Sequence, residues 1–147
     1  MELETSVKKS APKKIKLDFK VSKYATGRRK RSIAKVWVKK GSGIIHVNGM
    51  IMIDYFKRPV HQIIVMRPLE LSNIATSYDV RASVKGGGLS GQAGAIIHGL
   101  SRALVLHDET LKAVLKKEKL TTRDSRVVER KKYGHKKARR SFQFSKR

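Results

Sequence analysis

Residues 121–147 hold eleven Lys or Arg against two acids, Asp124 and Glu129, and contain no Leu, Ile or Met. The apolar side chains there (Val127, Val128, Tyr133, Phe142 and Phe144) are too few and too scattered to bury a core. Ordering one residue costs about 1–2 kcal/mol of backbone entropy, and a segment so poor in apolar surface has little to offset it. An autonomous fold must therefore lie before Thr121, and the tail takes its shape from a polyanion. Guanidinium forks match phosphate oxygens and stack on bases, so cations interleaved with aromatics point to nucleic acid. A solvated tail with no partner is the alternative reading of the same composition.

The formal net charge of the 147 residues is +24. Residues 1–23 carry seven Lys against Glu2, Glu4 and Asp18, and Arg28-Arg29-Lys30-Arg31 follow with no acid among them. A moderately basic middle with strongly basic flanks repels itself unless phosphate is near. The absence of Cys excludes a disulfide, a thiolate zinc site and a cysteine nucleophile. No apolar run approaches the roughly 18 residues of a spanning helix, so no membrane partner is expected. The first residues lack a secretory apolar core, and their acids argue against a transit peptide, so a reducing aqueous compartment is expected. The length suits one domain of about 100 residues with arms. The expected division is a flexible Lys-rich extension over 1–19, a globular domain over 20–120 and an extended basic tail over 121–147.

Within the middle, Ser32 to Lys39 alternates as a strand with Ala34, Val36 and Val38 on one face. The cations at 28–31 are expected in a loop before it. Gly41-Ser42-Gly43 supplies a turn, and Ile44 to Val47 is expected to return as the hairpin partner, stopping at Asn48-Gly49. Met50 to Met66 reads as short helical pieces, with Pro59 in a first turn, Val60, Ile63 and Ile64 as an apolar face, and Pro68 as a stop. Tyr78 to Lys85 alternates strictly, with Tyr78, Val80, Ala82 and Val84 inward. A last helix is expected over Glu109 to Lys117, with Leu111, Val114 and Leu115 inward and Asp108 or Glu109 serving its start.

Between these lies Gly86-Gly87-Gly88-Leu89-Ser90-Gly91-Gln92-Ala93-Gly94, opening a helix to about Leu106. At 100° per residue, Leu89, Ala93, Ile96, Ile97, Leu100 and Leu104 form its core stripe. Gly91, Gly94, Ala95, His98 and Arg102 fall opposite. Each Gly costs about 1 kcal/mol against Ala, so something must approach that face closely: a nucleic-acid backbone with Arg102 as its contact, or another protein element. Gly86-x-Gly88-x-x-Gly91 matches a dinucleotide fingerprint in form, but no second strand follows to present Asp108 or Glu109 to a ribose. The five His are dispersed without a metal-ligand spacing, and Ser90 has no His–acid pair. No catalytic residue, metal site or cofactor is expected. A DNA-binding protein and an enzyme built on the glycine loop are the competing classes; tight nucleotide binding by the isolated protein would favour the enzyme.

Four stretches together resemble the small-subunit ribosomal protein S-nine family in its bacterial or organellar form. They are Ala25-Thr-Gly-Arg-Arg-Lys-Arg-Ser-Ile-Ala-Lys-Val36; Val47-Asn-Gly49; Gly86 to Ala95 with His98-Gly99; and Leu120 to Gly134 running on through Lys137-Ala-Arg-Arg140 to Gln143-Phe-Ser-Lys-Arg147. The family often has Arg where this chain has Ile97. The resemblance implies an α+β fold: a four-stranded sheet with helices packed on one face, like the second domain of ribosomal protein S-five. It implies a place in the head of the small subunit among neighbouring head proteins, on small-subunit rRNA. No homo-oligomer is expected, and a cytoplasmic ribosome is expected ahead of an organellar one. Joined to the basic and glycine features above, it gives an rRNA-binding set of Arg28, Arg29, Lys30, Arg31, Gly91, Gly94, His98, Arg102, Arg123, Arg126, Arg130, Lys131, Lys132, Lys136, Lys137, Arg139 and Arg140. Lys146 and Arg147 are implied to contact the anticodon stem-loop of P-site tRNA.

Overall fold

The computed structural model describes residues 21–145. Their elements run β1 (Lys23–Arg29), β2 (Ser32–Lys40), β3 (Ile45–Val47), β4 (Met50–Ile51), α1 (Met52–Tyr55), α2 (Pro59–Leu71), β5 (Tyr78–Lys85), α3 (Leu89–His107) and α4 (Leu111–Lys117). The architecture is α+β. The strictly alternating β5 takes the centre of a mixed sheet ordered β1-β2-β5-β3-β4. Ala34, Val36, Val38, Val80, Ala82 and Val84 are buried on the face that receives the helices. Ile96, Leu100 and Leu104 of α3, Val65 and Leu69 of α2, Phe56 and Leu115 complete the core. Fully burying each such side chain contributes about 1.5–3 kcal/mol.

Five strands form where four were expected, because Met50–Ile51 adds a two-residue edge beside β3. The expected hairpin of β2 with β3 does not form. β5 inserts between them, antiparallel to β2 and parallel to β3. The Asp79 carboxylate of β5 accepts the Ser42 N–H at 2.8 Å and the Ile44 N–H at 3.0 Å, holding the Gly41-Ser42-Gly43 connection across the end of β5. Burial raises the Asp79 pKa, yet these hydrogen bonds outweigh it and hold the carboxyl below its usual value.

Arg28 and Arg29 belong to β1 rather than to a loop. Only Lys30 and Arg31 turn the chain, with Lys30 in the left-handed region at φ 50°. Pro68 does not stop α2, which continues to Leu71. An interior proline costs about 3 kcal/mol, but Val65, Pro68 and Leu69 are buried together, and tertiary burial outweighs the missing N–H. The buried face of α2 is His61, Val65, Pro68 and Leu69, whereas Val60 and Ile63 are exposed. Helix α4 starts at Leu111 and buries Leu115, leaving Val114 exposed. Asp108 does not cap it by its side chain; the carboxylate accepts the Tyr78 hydroxyl at 2.7 Å. Burial first, then Asp108, pushes the Tyr78 phenol up to about 12.

Candidate nucleic-acid interface

Helix α3 lies directly on β1 because small residues meet there. A Cβ on Gly27 would overlap the Ala95 carbonyl oxygen and the Gly99 amide, and one on Gly99 would meet a Val36 methyl. The glycine face of α3 is thus turned to the protein's own strand. The space beside Gly91 is filled by Ser32, and that beside Gly94 by the Arg29 side chain. Gly91, Ala95 and Gly99 are buried while Leu89, expected in the core, is exposed. Of the two close approaches weighed from the sequence, the one made here is by protein. The docking explains the placement: bulky side chains fill the deeper layer, and only glycine and alanine admit a strand at backbone distance. The Gly86-Gly87-Gly88 loop is likewise held to β2, with the Ser32 hydroxyl donating to the Gly86 carbonyl at 3.0 Å.

This joint brings three distant cationic stretches together. An open cleft of about 500 Å³ is bordered by Arg28, Arg29 and Lys30 of the first hairpin, Gly94, Ile97 and His98 of α3, and Lys119, Arg123 and Asp124 at the tail's root. Beside it, Thr26, Arg28, His98, Arg102, Thr121 and Arg123 line a recess of about 400 Å³ containing no acid. Arg102 Nη1 donates to the Thr26 carbonyl at 2.8 Å. His98 Nδ1 accepts the Arg28 backbone N–H at 3.2 Å, and the same ring bonds the Thr121 backbone. Burial, then the Arg102 and Arg123 charges, lower the His98 pKa, against the Thr121 bond. The neutral ring therefore pins the tail's root to β1.

Asp124 carries the other side of that pin. Its carboxylate meets the Arg29 guanidinium and also Arg126, the latter at 2.8 Å. Farther along, Arg139 forms a two-point pair with Glu129 at 2.6 and 3.0 Å, lowering the Glu129 pKa. Arg123, Arg130, Lys131, Lys132, Lys136, Lys137 and Arg140 make no ion pair with a described acid. The described tail has neither helix nor strand beyond an isolated bridge between His135 and Ser141, and its aromatics Tyr133, Phe142 and Phe144 are exposed. Arg31, which does not border the cleft, lines a further recess with Ser32, Gly87, Gly91, Val127 and Val128. Lys146 and Arg147 lie outside the described residues.

The sequence reading missed Thr26, Lys119, Thr121 and Asp124. Thr26, Thr121 and Asp124 lie within the stretches that carry the resemblance, and Asp124 also stood out as one of two acids in a cationic tail. Among the described residues, no group of three or more His, Asp or Glu is placed to hold a metal, and no helix is long and apolar enough to cross a membrane.

His98 gives a testable pH dependence. Its folded-state pKa lies below the roughly 6.5 of an unfolded chain, so the unfolded state takes up the proton first as pH falls. The stability it contributes is complete above about pH 6.5 and is lost as pH falls toward the folded pKa. Melting temperatures should therefore fall as pH drops below about 6.5. The drop should be smaller in His98→Gln, which cannot charge. An identical pH dependence in both proteins would refute the neutral pin.

An α+β body with cations converging from strand, helix and tail, and a run of cations without a described acid partner leaving it, has the build of a ribonucleoprotein component. Residues 27–147 match the family model of ribosomal protein S9/S16, and the chain belongs to that family. It is a structural, rRNA-binding constituent of the small ribosomal subunit that serves translation, placed in a ribosome of the cytoplasm or an organelle.

Proposed function

We propose that the body docks on small-subunit rRNA in the subunit head through the cleft between the first hairpin, α3 and the tail's root, and that the tail then runs along rRNA toward P-site tRNA. The observation that carries this reading is the convergence of Arg28, Arg29, Lys30, His98, Arg102 and Arg123 on two adjoining cavities, from which cations without a described acid partner continue along the tail. Polyelectrolyte binding of this kind positions without reading bases. Arg31, Arg126, Arg130, Lys131, Lys132, Lys136, Lys137, Arg139 and Arg140 extend the phosphate-binding track, and Gly91 and Gly94 border its recesses. Kinship with the second domain of ribosomal protein S-five, a position among neighbouring head proteins without self-association, and a cytoplasmic ribosome belong to the same proposal. So does the division into an extension, a body over 20–120 and a tail.

Within this reading Lys146 and Arg147 meet the anticodon stem-loop of P-site tRNA as backbone contacts that accept every tRNA. Deleting Ser145-Lys146-Arg147 removes two cations, so assembly should survive while P-site tRNA dissociates faster. Hydrogen bonds from typical to charge-assisted, worth about 0.5–3 kcal/mol, correspond to roughly a two- to hundredfold change, diluted toward the low end by other contacts. Dissociation from subunits carrying the truncated protein, measured for several tRNAs, tests this. Unchanged rates for all of them would sink the contact, and an effect confined to one anticodon would show base readout.

A further inference from the structure

The sheet face opposite the helices carries a row of side chains set by register: Tyr24 on β1, Trp37 on β2, Arg81 on β5, His46 on β3 and Ile51 on β4. The Tyr24 and Trp37 rings are 5.3 Å apart and tilted by 41°, and the Arg81 guanidinium lies 5.7 Å from the Trp37 ring centroid. Tyr24 and Arg81 are exposed and Trp37 is half-buried. Lys35 and Lys39 flank Trp37 on the same face and are exposed, as is Lys85. Asp79 is the acid among them, and its carboxylate is already engaged by the Ser42 and Ile44 N–H groups.

Aromatic rings bordered by cations and lacking a free acid have one matching chemistry. We infer that this face is a stacking platform for unpaired bases of a single-stranded RNA segment. A base has a π-face to lay on Tyr24 and Trp37, Arg81 adds a planar cation beside it, and Lys35 and Lys39 reach the phosphates on either side. A duplex keeps its base faces stacked internally and cannot use the rings. An acidic protein segment would satisfy the lysines but leave the rings without a planar partner. The inference rests on the RNA-binding reading above, extending it to a second surface and to unpaired RNA.

Trp37 is the sole tryptophan, so its emission reports on this face alone. The full chain is titrated with an oligouridylate of about eight nucleotides. A duplex of similar length and polyglutamate are titrated in parallel, and labelled RNA gives total binding by anisotropy. The single strand should quench Trp37 to saturation, whereas the duplex should raise anisotropy without quenching. Tyr24→Leu, at an exposed position, should weaken Trp37-detected binding roughly fivefold or more, and Arg81→Gln should weaken it in the same direction. Anisotropy rising with the single strand while Trp37 stays unquenched would overturn the platform and leave the RNA-binding reading standing. Equal quenching by polyglutamate would assign the face to an acidic protein partner instead. No anisotropy change with any RNA would overturn the RNA-binding reading beneath both.

Discussion

Removal of residues 121–147 should leave the body folded while abolishing most of the salt-dependent affinity for rRNA. Seven described tail cations have no partner among the described acids: Arg123, Arg130, Lys131, Lys132, Lys136, Lys137 and Arg140. If each neutralises one phosphate, the dependence of log K on log salt loses a slope of about 5–6. A slope of that size weakens binding by roughly a thousand- to several-thousandfold between about 50 and 200 mM salt, a sensitivity the truncated protein should largely lack. The cost to the body is small. Leu120, which packs against the core, is retained, and the chief loss is the Arg29–Asp124 pair, about three-quarters shielded from solvent. Nitrocellulose or anisotropy titrations at several salt concentrations, with thermal melts of both proteins, test the two halves of this expectation. An unchanged salt slope would show that the body carries the affinity. A body that no longer melts cooperatively would show that the tail is part of the fold.

How legible the fold was depended on whether a signal was local. β2 and β5 alternate so strictly that their inward residues follow from the sequence, and both strands lie where alternation puts them. The tail's lack of a core is equally local, a matter of composition. Pairing was not local. Ile45–Val47 sits a short glycine turn after β2, which favours a hairpin, yet its partner is β5, more than thirty residues on, joined through the Asp79 carboxylate. Pro68 was misleading because its cost is visible in sequence while the burial that outweighs it is not. The glycines of α3 were legible as a close-approach surface, but a helical wheel has no means of saying that the approaching backbone is β1. For the same reason the wheel put Leu89 inside and Ala95 outside, the reverse of what the packing requires. Arg28, Arg29, His98, Arg102 and Arg123 were each visible as cations or a polar residue. That they border one cleft and the recess beside it, which share Arg28, His98 and Arg123, follows only from α3 crossing β1.

That crossing is the point at which the site is most vulnerable. Gly27→Val should destabilise the protein more than any surface change and should disperse the cationic cleft. Valine suits a strand, and the Gly27 backbone is not in the left-handed region, so β1 itself would accept the substitution. The conflict is with α3: the new Cβ would collide with the Ala95 carbonyl oxygen and the Gly99 amide, which are backbone atoms and cannot rotate aside. The helix must lift from β1, breaking the Gly99–Val36 packing, the Arg102–Thr26 hydrogen bond and the Arg28–His98 hydrogen bond together. Overpacking typically costs about 1–3 kcal/mol, and a clash with backbone belongs at or beyond the upper end. For a body of this size about 3 kcal/mol lowers the melting temperature by roughly 12–24 °C, a large share of a total stability of about 5–15 kcal/mol. Gly88→Ala is the control, because a Cβ there meets nothing within 4 Å and the residue has no positive φ. It should melt close to the wild type. Where Gly27→Val remains folded at low temperature, its rRNA affinity should fall although no cation has been removed, since Arg28, His98 and Arg102 no longer face the tail's root in one arrangement. A Gly27→Val protein melting within a degree or two of wild type would show that α3 does not rest on β1 at backbone distance, and the cleft would lose its physical basis.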